Sequence, residues 1–253
     1  MENKKGTIIT ITSCKGGVGK SVLTMNLASM YSLLKKKVLV IDLNLFGGAL
    51  STYVNAKTDK TIFNLIDDMA YNRYSNIDNY IYKVDENISL IGAPIDPRNA
   101  YHVDSSYIPL ILSNVVYRYD VILIDTDHLI NDIKLITLDN SDKKVVVITN
   151  DIFDLKNTRS FLTVIEESKM DNVYLLLNNS LNLNKEYFSM YDMKNILKRN
   201  IDFMIPKTMF VRDIEKYIMD SRIIINDKRL ISKKDLNLLG TIALELVKES
   251  GAK

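Results

Sequence analysis

The sequence predicts an α/β fold: a single doubly wound, mainly parallel sheet with helices on both faces. Three observations carry that prediction. Strand-like and helix-like runs alternate from one end of the chain to the other. The best strand runs, at 38–41, 121–124, 145–148 and 173–177, are short, uninterrupted apolar stretches, β-branched or leucine-rich, which is how strands buried on both faces read. Three of the nine glycines fall together at Gly16, Gly17 and Gly19, directly between the first strand run and the first helix run.

Taken in order, Thr7–Thr12 reads as the first strand and Lys20–Leu34 as the helix that leaves the glycine loop. Lys37–Asp42 is the second strand, followed by a helix at Thr61–Ala70. Asn87–Ile91 is a strand, Ser106–Val116 a helix and Asp120–Asp125 a strand ending on a carboxylate. Lys144–Thr149 and Asn172–Asn178 are strands on either side of a helix at Leu155–Lys169. Tyr187–Lys198, Phe210–Met219 and Asp235–Lys248 read as helices. Strands alternating with helices imply a sheet covered on both faces. Ligands of such sheets bind at the carboxyl ends of the strands.

Composition bounds the rest. The chain has 253 residues, 47% hydrophobic and 25% charged, the balance of an ordinary globular protein. Disorder, collagen and disulfide-stapled miniature scaffolds are excluded. With 33 basic and 31 acidic residues the net charge is +2, so the total writes in no strong pull toward nucleic acid or acidic lipid. Cys14 is the single cysteine, which excludes an intrachain disulfide and a four-cysteine metal site and suits a reducing, cytoplasmic setting. No apolar run approaches the ~18 residues of a membrane span. Lys4 and Lys5 precede an apolar stretch, but it alternates with threonine and meets the glycine loop, so it is not read as a signal peptide. No Gly/Ser- or Pro-rich linker and no repeat divides the chain, and residues 1–253 are expected to form one domain.

Cys14-Lys15-Gly16-Gly17-Val18-Gly19-Lys20-Ser21 lies where a phosphate cradle belongs. Glycines let several backbone N–H groups converge on one anion, and a helix N-terminus adds its partial positive charge. Lys20 can reach the β- and γ-phosphates, and the Ser21 hydroxyl can bind Mg²⁺. Two apolar strands then end in aspartates, Asp42 and Asp125, beside the loop. Either alone could be a turn or cap residue; two in register with the loop point to a Mg²⁺-nucleotide site.

The string from Lys15 to Ser21 resembles the deviant Walker A motif of the ParA/MinD family of ATPases. The resemblance runs from Thr7 to about Arg222, specific over the first 50 residues and weaker beyond. It implies ATP and Mg²⁺ as ligands, with Lys15, Gly16, Gly17, Val18, Gly19, Lys20, Ser21 and Val22 around the phosphates. It further implies that Lys15 crosses a homodimer to the partner's nucleotide, supplying in trans a cation that stabilises charge in phosphoryl transfer. Asp125 resembles the Walker B aspartate, and Asp42 the first aspartate of the second-strand motif; with Ser21 they would hold the metal region. Lys15, Lys20 and Asn44 are the catalytic positions so implied. Two departures stand out. The family has Asp-x-Asp after the second strand where this chain has Asp42-Leu43-Asn44, and an amide orients a water but takes no proton from it. Val22 replaces a hydroxyl that meets the α-phosphate, a hydrogen bond worth about 1 kcal/mol. Asn178 matches the family's adenine-binding asparagine, although a turn role suits it nearly as well, and Pro206 with Lys207 matches the segment that borders adenine.

Leu90–Pro94, Asp125–His128 and Asn150–Leu155 resemble the pilus-associated TadZ/CpaE branch, loosely. The chain starts almost at the first strand, so that branch's receiver-like domain is expected to be absent. The implied function is an ATP-dependent switch that dimerises around Mg²⁺-ATP and positions a pilus or secretion machine, with hydrolysis slow or absent because of Asn44. It would be cytoplasmic and reach a membrane or cell pole through a protein partner. Alternatives are a DNA-partitioning ATPase, a MinD-like membrane-cycling ATPase and a bacterial tyrosine autokinase; the last is disfavoured because its C-terminal tyrosine cluster is lacking. DNA binding is not indicated, since the basic groups at Lys35–Lys37, Lys143-Lys144 and Lys233-Lys234 need not share a face. The C-terminal helix reads as core and its tail through Lys253 is unlike a basic membrane anchor. Gly47 and Gly48 admit either a mobile switch loop or a simple turn. His102 and His128 read as loop residues, and Tyr71, Tyr74, Tyr80 and Tyr82 as a variable excursion.

Overall fold

The computed structural model describes residues 4–57, 60–181, 187–220, 226–227 and 229–248. The tail 249–253 and Arg222, the far end of the resemblance, lie outside the described residues. The strands are β1 (Thr7–Thr12), β2 (Val38–Leu43), β3 (Tyr82–Lys83), β4 (Ile88–Ile91), β5 (Val121–Thr126), β6 (Lys143–Ile148), β7 (Val173–Asn178) and β8 (Phe203–Ile205). They form one eight-stranded sheet in the order β3-β4-β2-β5-β1-β6-β7-β8. Every pairing is parallel except β3 with β4, a two-residue antiparallel edge. The doubly wound, mainly parallel sheet is thus as the apolar runs imply.

Both faces are covered, because adjacent strand residues point to opposite sides. Val38, Val40, Val121, Leu123, Val145 and Val147 share one core with α1 (Lys20–Leu33) and α9 (Lys233–Leu246). Leu39, Ile41, Ile122 and Ile124 face the other way, against α3 (Ile62–Ala70) and α4 (Ile108–Val115). Val146, Ile148, Leu175 and Leu177 continue that second face under α6 (Ile152–Glu167) and α7 (Met190–Leu197). α9 is core, as expected: Leu239, Ile242, Ala243 and Leu246 are buried, and Tyr31 Oη of α1 donates to the Ala243 carbonyl at 2.8 Å.

Several boundaries differ from expectation for local reasons. α4 starts at Ile108, since Pro109 suits a first turn, and the Ser105–Tyr107 residues ahead of it form a 3-10 turn capped by Asp104. α6 starts early because the Asp151 side chain accepts the Asp154 N–H at 3.0 Å. The expected helix at 210–219 shrinks to α8 (Ile214–Met219), since Asp213 takes φ 54° and breaks the helical path. α2 (Leu50–Tyr53), α5 (Asp132–Asp139), β3 and β8 are not predicted by the sequence patterns. α5 carries the buried Lys134, and its start is capped by Asn131, which accepts from the Lys134 N–H at 2.9 Å.

The order of strands places the chemistry. The central strand β1 is flanked by β5 and β6, with β2, β4 and β3 beyond β5 on one side and β7 and β8 beyond β6 on the other. Ligands of open parallel sheets sit at such a switch point, outside the carboxyl ends.

Candidate functional site

The loop from Ser13 to Gly19 joins the carboxyl end of β1 to α1. Its path requires glycine at two points. Gly17 has φ 74° and Gly19 φ 90°, and a Cβ on Gly19 would stand 2.6 Å from Asn178 Nδ2. No side chain caps the start of α1, so its first N–H groups remain available to an anion. Lys20 is buried at that start, and its Nζ donates to Ser13 Oγ at 2.9 Å; Ser13 Oγ in turn donates to the Lys15 carbonyl at 2.8 Å. Burial lowers the Lys20 ammonium from its ordinary range, opposed by the charges of Asp125 and Asp127.

Parallel pairing of β2 with β5 sets Asp42 beside Asp125, both fully buried. Asp42 accepts the N–H groups of Asn44 at 3.1 Å and Leu50 at 3.2 Å. Asp125 Oδ2 accepts from Ser21 Oγ at 2.5 Å, while its Oδ1 is buried with no partner among the described residues. Burial pushes the Asp125 carboxyl up to about 6, against the Ser21 hydrogen bond and the Lys20 charge. Asp42 lies well above the usual carboxylate range, first from burial and then from the neighbouring Asp125. Hard oxygen donors with an orphaned carboxylate oxygen at the end of a phosphate cradle fit Mg²⁺ and its waters. The sequence-derived metal set, Ser21, Asp42 and Asp125, therefore converges on one point.

Other candidates stand apart from that centre. Lys15 Nζ forms an ion pair with Asp151 Oδ1 at 3.1 Å, both side chains partly exposed on the carboxyl edge. Val18 is buried in the core. Asn178 Nδ2 donates to the Val18 carbonyl at 2.9 Å, and its Oδ1 accepts from Ser180 N and Oγ, so its amide ties β7 to the glycine loop. With Val22, Asn26 and Phe210 it lines a cavity of about 310 Å³ beside the start of α1. Pro206 and Lys207 do not line that cavity; they border another, of about 340 Å³, with Asn179 and Met204. Asn44 turns its Nδ2 to the Gly47 carbonyl at 3.5 Å. Gly48 lies so near β4 that a Cβ would meet Ala93 Cβ at 2.2 Å, a close approach that requires glycine.

Two residues of the site, Ser13 and Lys134, are not singled out by the sequence patterns, and Asp127 enters there only as part of the Asp125–His128 segment. Ser13 holds the Lys20 ammonium. Lys134 is buried under the loop, its Nζ donating to the Ser13 carbonyl at 2.7 Å and lying 4.5 Å from the centre of the Phe161 ring. Burial brings its ammonium down to about 8. Asp127, also buried, accepts the backbone N–H of His128, and its Oδ1 lies 2.7 Å from His128 Nδ1. The only sequence signal for Lys134 is the Asn131 cap, which opens a helix whose inner face the lysine occupies.

The comparisons agree with this geometry. Residues 6–183 match the AAA_31 family, described as an AAA domain. The chromosome-partitioning ATPase Soj of Thermus thermophilus is 24% identical over 196 residues, spanning 77% of this chain and 73% of Soj. A ParA family ATPase from Chlorobium tepidum superposes with a TM-score of 0.81 at 17% identity, covering 94% of this chain and 98% of that one. The septum site-determining protein MinD of Pyrococcus horikoshii, solved with Mg-ADP, gives 0.78 at 19% identity, covering 97% and 98%.

Proposed function

This chain belongs to the AAA_31 family, the ParA/MinD type of P-loop ATPase, and from that membership we propose that it is an ATP-dependent switch forming one domain over residues 1–253. The observation that carries the reading is the union of the glycine loop, Lys20 and Ser21 with the paired carboxylates Asp42 and Asp125 at one strand end. Lys15 to Val22 cradle the phosphates of ATP. Ser21, Asp42 and Asp125 hold Mg²⁺, which supplies charge neutralisation between the phosphate oxygens. The base occupies the cavity lined by Asn178. Pro206 and Lys207, which the resemblance sets beside adenine, border the separate cavity with Asn179 and Met204.

The ATP state is a homodimer joined across the carboxyl edge, with Lys15 leaving Asp151 to reach the partner's nucleotide. In support, this edge carries exposed apolar side chains: Phe46, Ile95, Leu129 and Ile130 on the loops after β2, β4 and β5, and Phe153 at the start of α6. Such a cluster is what an interface core uses. Turnover is slow, because Asn44 stands where a carboxylate would activate water. The dimer positions a membrane-associated protein machine of the pilus or secretion kind, on the resemblance to the TadZ/CpaE branch. A DNA-partitioning role is the second reading, favoured by the likeness to Soj. Against it, Lys143 and Lys144 are buried in the sheet and offer no phosphate contacts.

Light scattering with Mg²⁺-ATP, followed by identification of the bound nucleotide, tests the reading. A doubling of mass with intact ATP bound supports it; an unchanged mass with no nucleotide bound overturns it. Salt-dependent retention on DNA would move the assignment to the second reading.

A further inference from the structure

We propose that Lys134 is a positioning residue of the nucleotide site: from beneath the glycine loop it ties that loop to the loop after β5, and so keeps the phosphate cradle in register with Asp125. The inference rests on the ATP reading and assigns a role within that same site. Lys134 Nζ donates to two carbonyls on separate segments, Ser13 at 2.7 Å and His128 at 3.4 Å. Each segment is already fixed where the lysine holds it. Ser13 Oγ accepts from Lys20 Nζ at 2.9 Å and donates to the Lys15 carbonyl at 2.8 Å. The backbone N–H groups of His128 and Leu129 donate to Asp127 Oδ1, which closes the turn that follows Asp125. On the other side of the cradle, Ser21 Oγ donates to Asp125 Oδ2 at 2.5 Å. The contacts form a closed circuit. It runs from Ser13 round the glycine loop to Ser21, across to Asp125, along the turn to His128, and back through Lys134 to Ser13.

The interior is an unfavourable place for this charge. Lys134 is 1% exposed, its ammonium lies 4.5 Å from the centre of the Phe161 ring, and burial and the nearby Lys20 charge both oppose its ionisation. An apolar side chain of similar length would fill the space without the desolvation cost. It would not donate to carbonyls of two different loops, which is the one thing the ammonium does here. The start of α5 fixes the lysine's backbone as well, because Asn131 Oδ1 accepts the Lys134 N–H at 2.9 Å. Lys134 touches the cradle only through the backbone of Ser13 and His128, so it acts on the phosphates by holding the groups that meet them.

Lys134→Met keeps the length of the side chain and removes the donor. Calorimetric titration with Mg²⁺-ATP is expected to show affinity about tenfold weaker than wild type, the scale of one hydrogen bond from a charged group. Hydrogen exchange of the nucleotide-free proteins, read by mass spectrometry, supplies the readout that a merely structural lysine would not move. Amides of residues 13–19 and 127–130 are expected to exchange faster together in the variant, while those of α7 and β8 keep wild-type rates. Lys134→Gln, with a shorter donor, gives the same comparison should the methionine variant fold poorly, and is expected to fall between it and wild type. ATP affinity within about twofold of wild type, or exchange that rises evenly along the chain, overturns the role of Lys134 and leaves the ATP reading standing. A wild type that binds no ATP overturns the ATP reading and this inference with it.

Discussion

Lys134 brings a positive charge into the interior directly under the phosphate loop, and its chemistry makes a measurable signature. The folded protein releases this proton near pH 8, against an ordinary lysine value of 10.5. Between those values the unfolded chain binds more protons than the folded one, so this residue makes stability rise with pH across that window. Lys134→Met should abolish that rise, seen as urea midpoints measured at intervals across the window in both proteins. The same variant leaves the Ser13 carbonyl without its partner and should lose roughly 1–3 kcal/mol at neutral pH. Asp125 has the opposite sense. Its carboxyl stays protonated to about 6 when folded, against 3.8 in an ordinary aspartate, so the stability it contributes is full below 3.8 and lost as pH rises through 6. Asp125→Asn should therefore raise the Tm of the metal-free protein at pH 7.5 and abolish the further rise that Mg²⁺-ATP produces in wild type. A lowered Tm in the metal-free variant would contradict the cost of burying the charged Asp125 carboxylate.

At the scale of elements, the loop between β1 and α1 depends on contacts from a distant strand. Asn178 at the end of β7 grips the Val18 carbonyl, and its amide occupies the space beside Gly19. Gly19→Ala forces a left-handed φ on alanine and drives its Cβ into that amide. The expected loss is at least the ~1–3 kcal/mol of such backbone strain, together with ATP binding. Gly17→Ala meets no neighbour within 4 Å and should lose only the conformational share, about 1–2 kcal/mol. Equal losses in calorimetric ATP titration and thermal unfolding would show that the Asn178 contact is immaterial. The loop itself and six of the strands were legible in the sequence, because glycine spacing and unbroken apolar runs are local signals. α5 was not: Asp132–Asp139 is eight residues of mixed polarity whose identity comes from the Asn131 cap and from packing against α4. β3 and β8 are two- and three-residue edges, too short for any periodicity to register.

For the whole molecule, the carboxyl edge concentrates the phosphate loop, the acidic pair and an apolar rim in one surface. Phe153, 72% exposed at the start of α6, sits two residues from Asp151, the partner of Lys15. Phe153→Asp should abolish the ATP-dependent doubling of mass in light scattering while ATP affinity of the monomer stays within about twofold. A variant that still doubles in mass would place the dimer on another surface. Lys143 and Lys144 make the converse point. In the sequence they are an adjacent basic pair; in the fold Lys144 Nζ reaches back to the Ser141 carbonyl at 2.8 Å, and Lys143 lies over the Tyr174 ring.

By itself, the sequence determined the sheet class, the phosphate loop and the two strand-end aspartates. Each of these is written in contiguous residues whose backbone and burial preferences are local. It also carried the Asn44 departure, since that is a matter of residue type alone. Only the tertiary structure decided which distant groups meet the loop. Asn178, Lys134 and the Asp127–His128 pair lie far from Gly16 in sequence, and parallel pairing brings the carboxyl ends of β1, β5 and β7 to one edge. That register is set by packing of both sheet faces, a long-range property that no short window of residues contains.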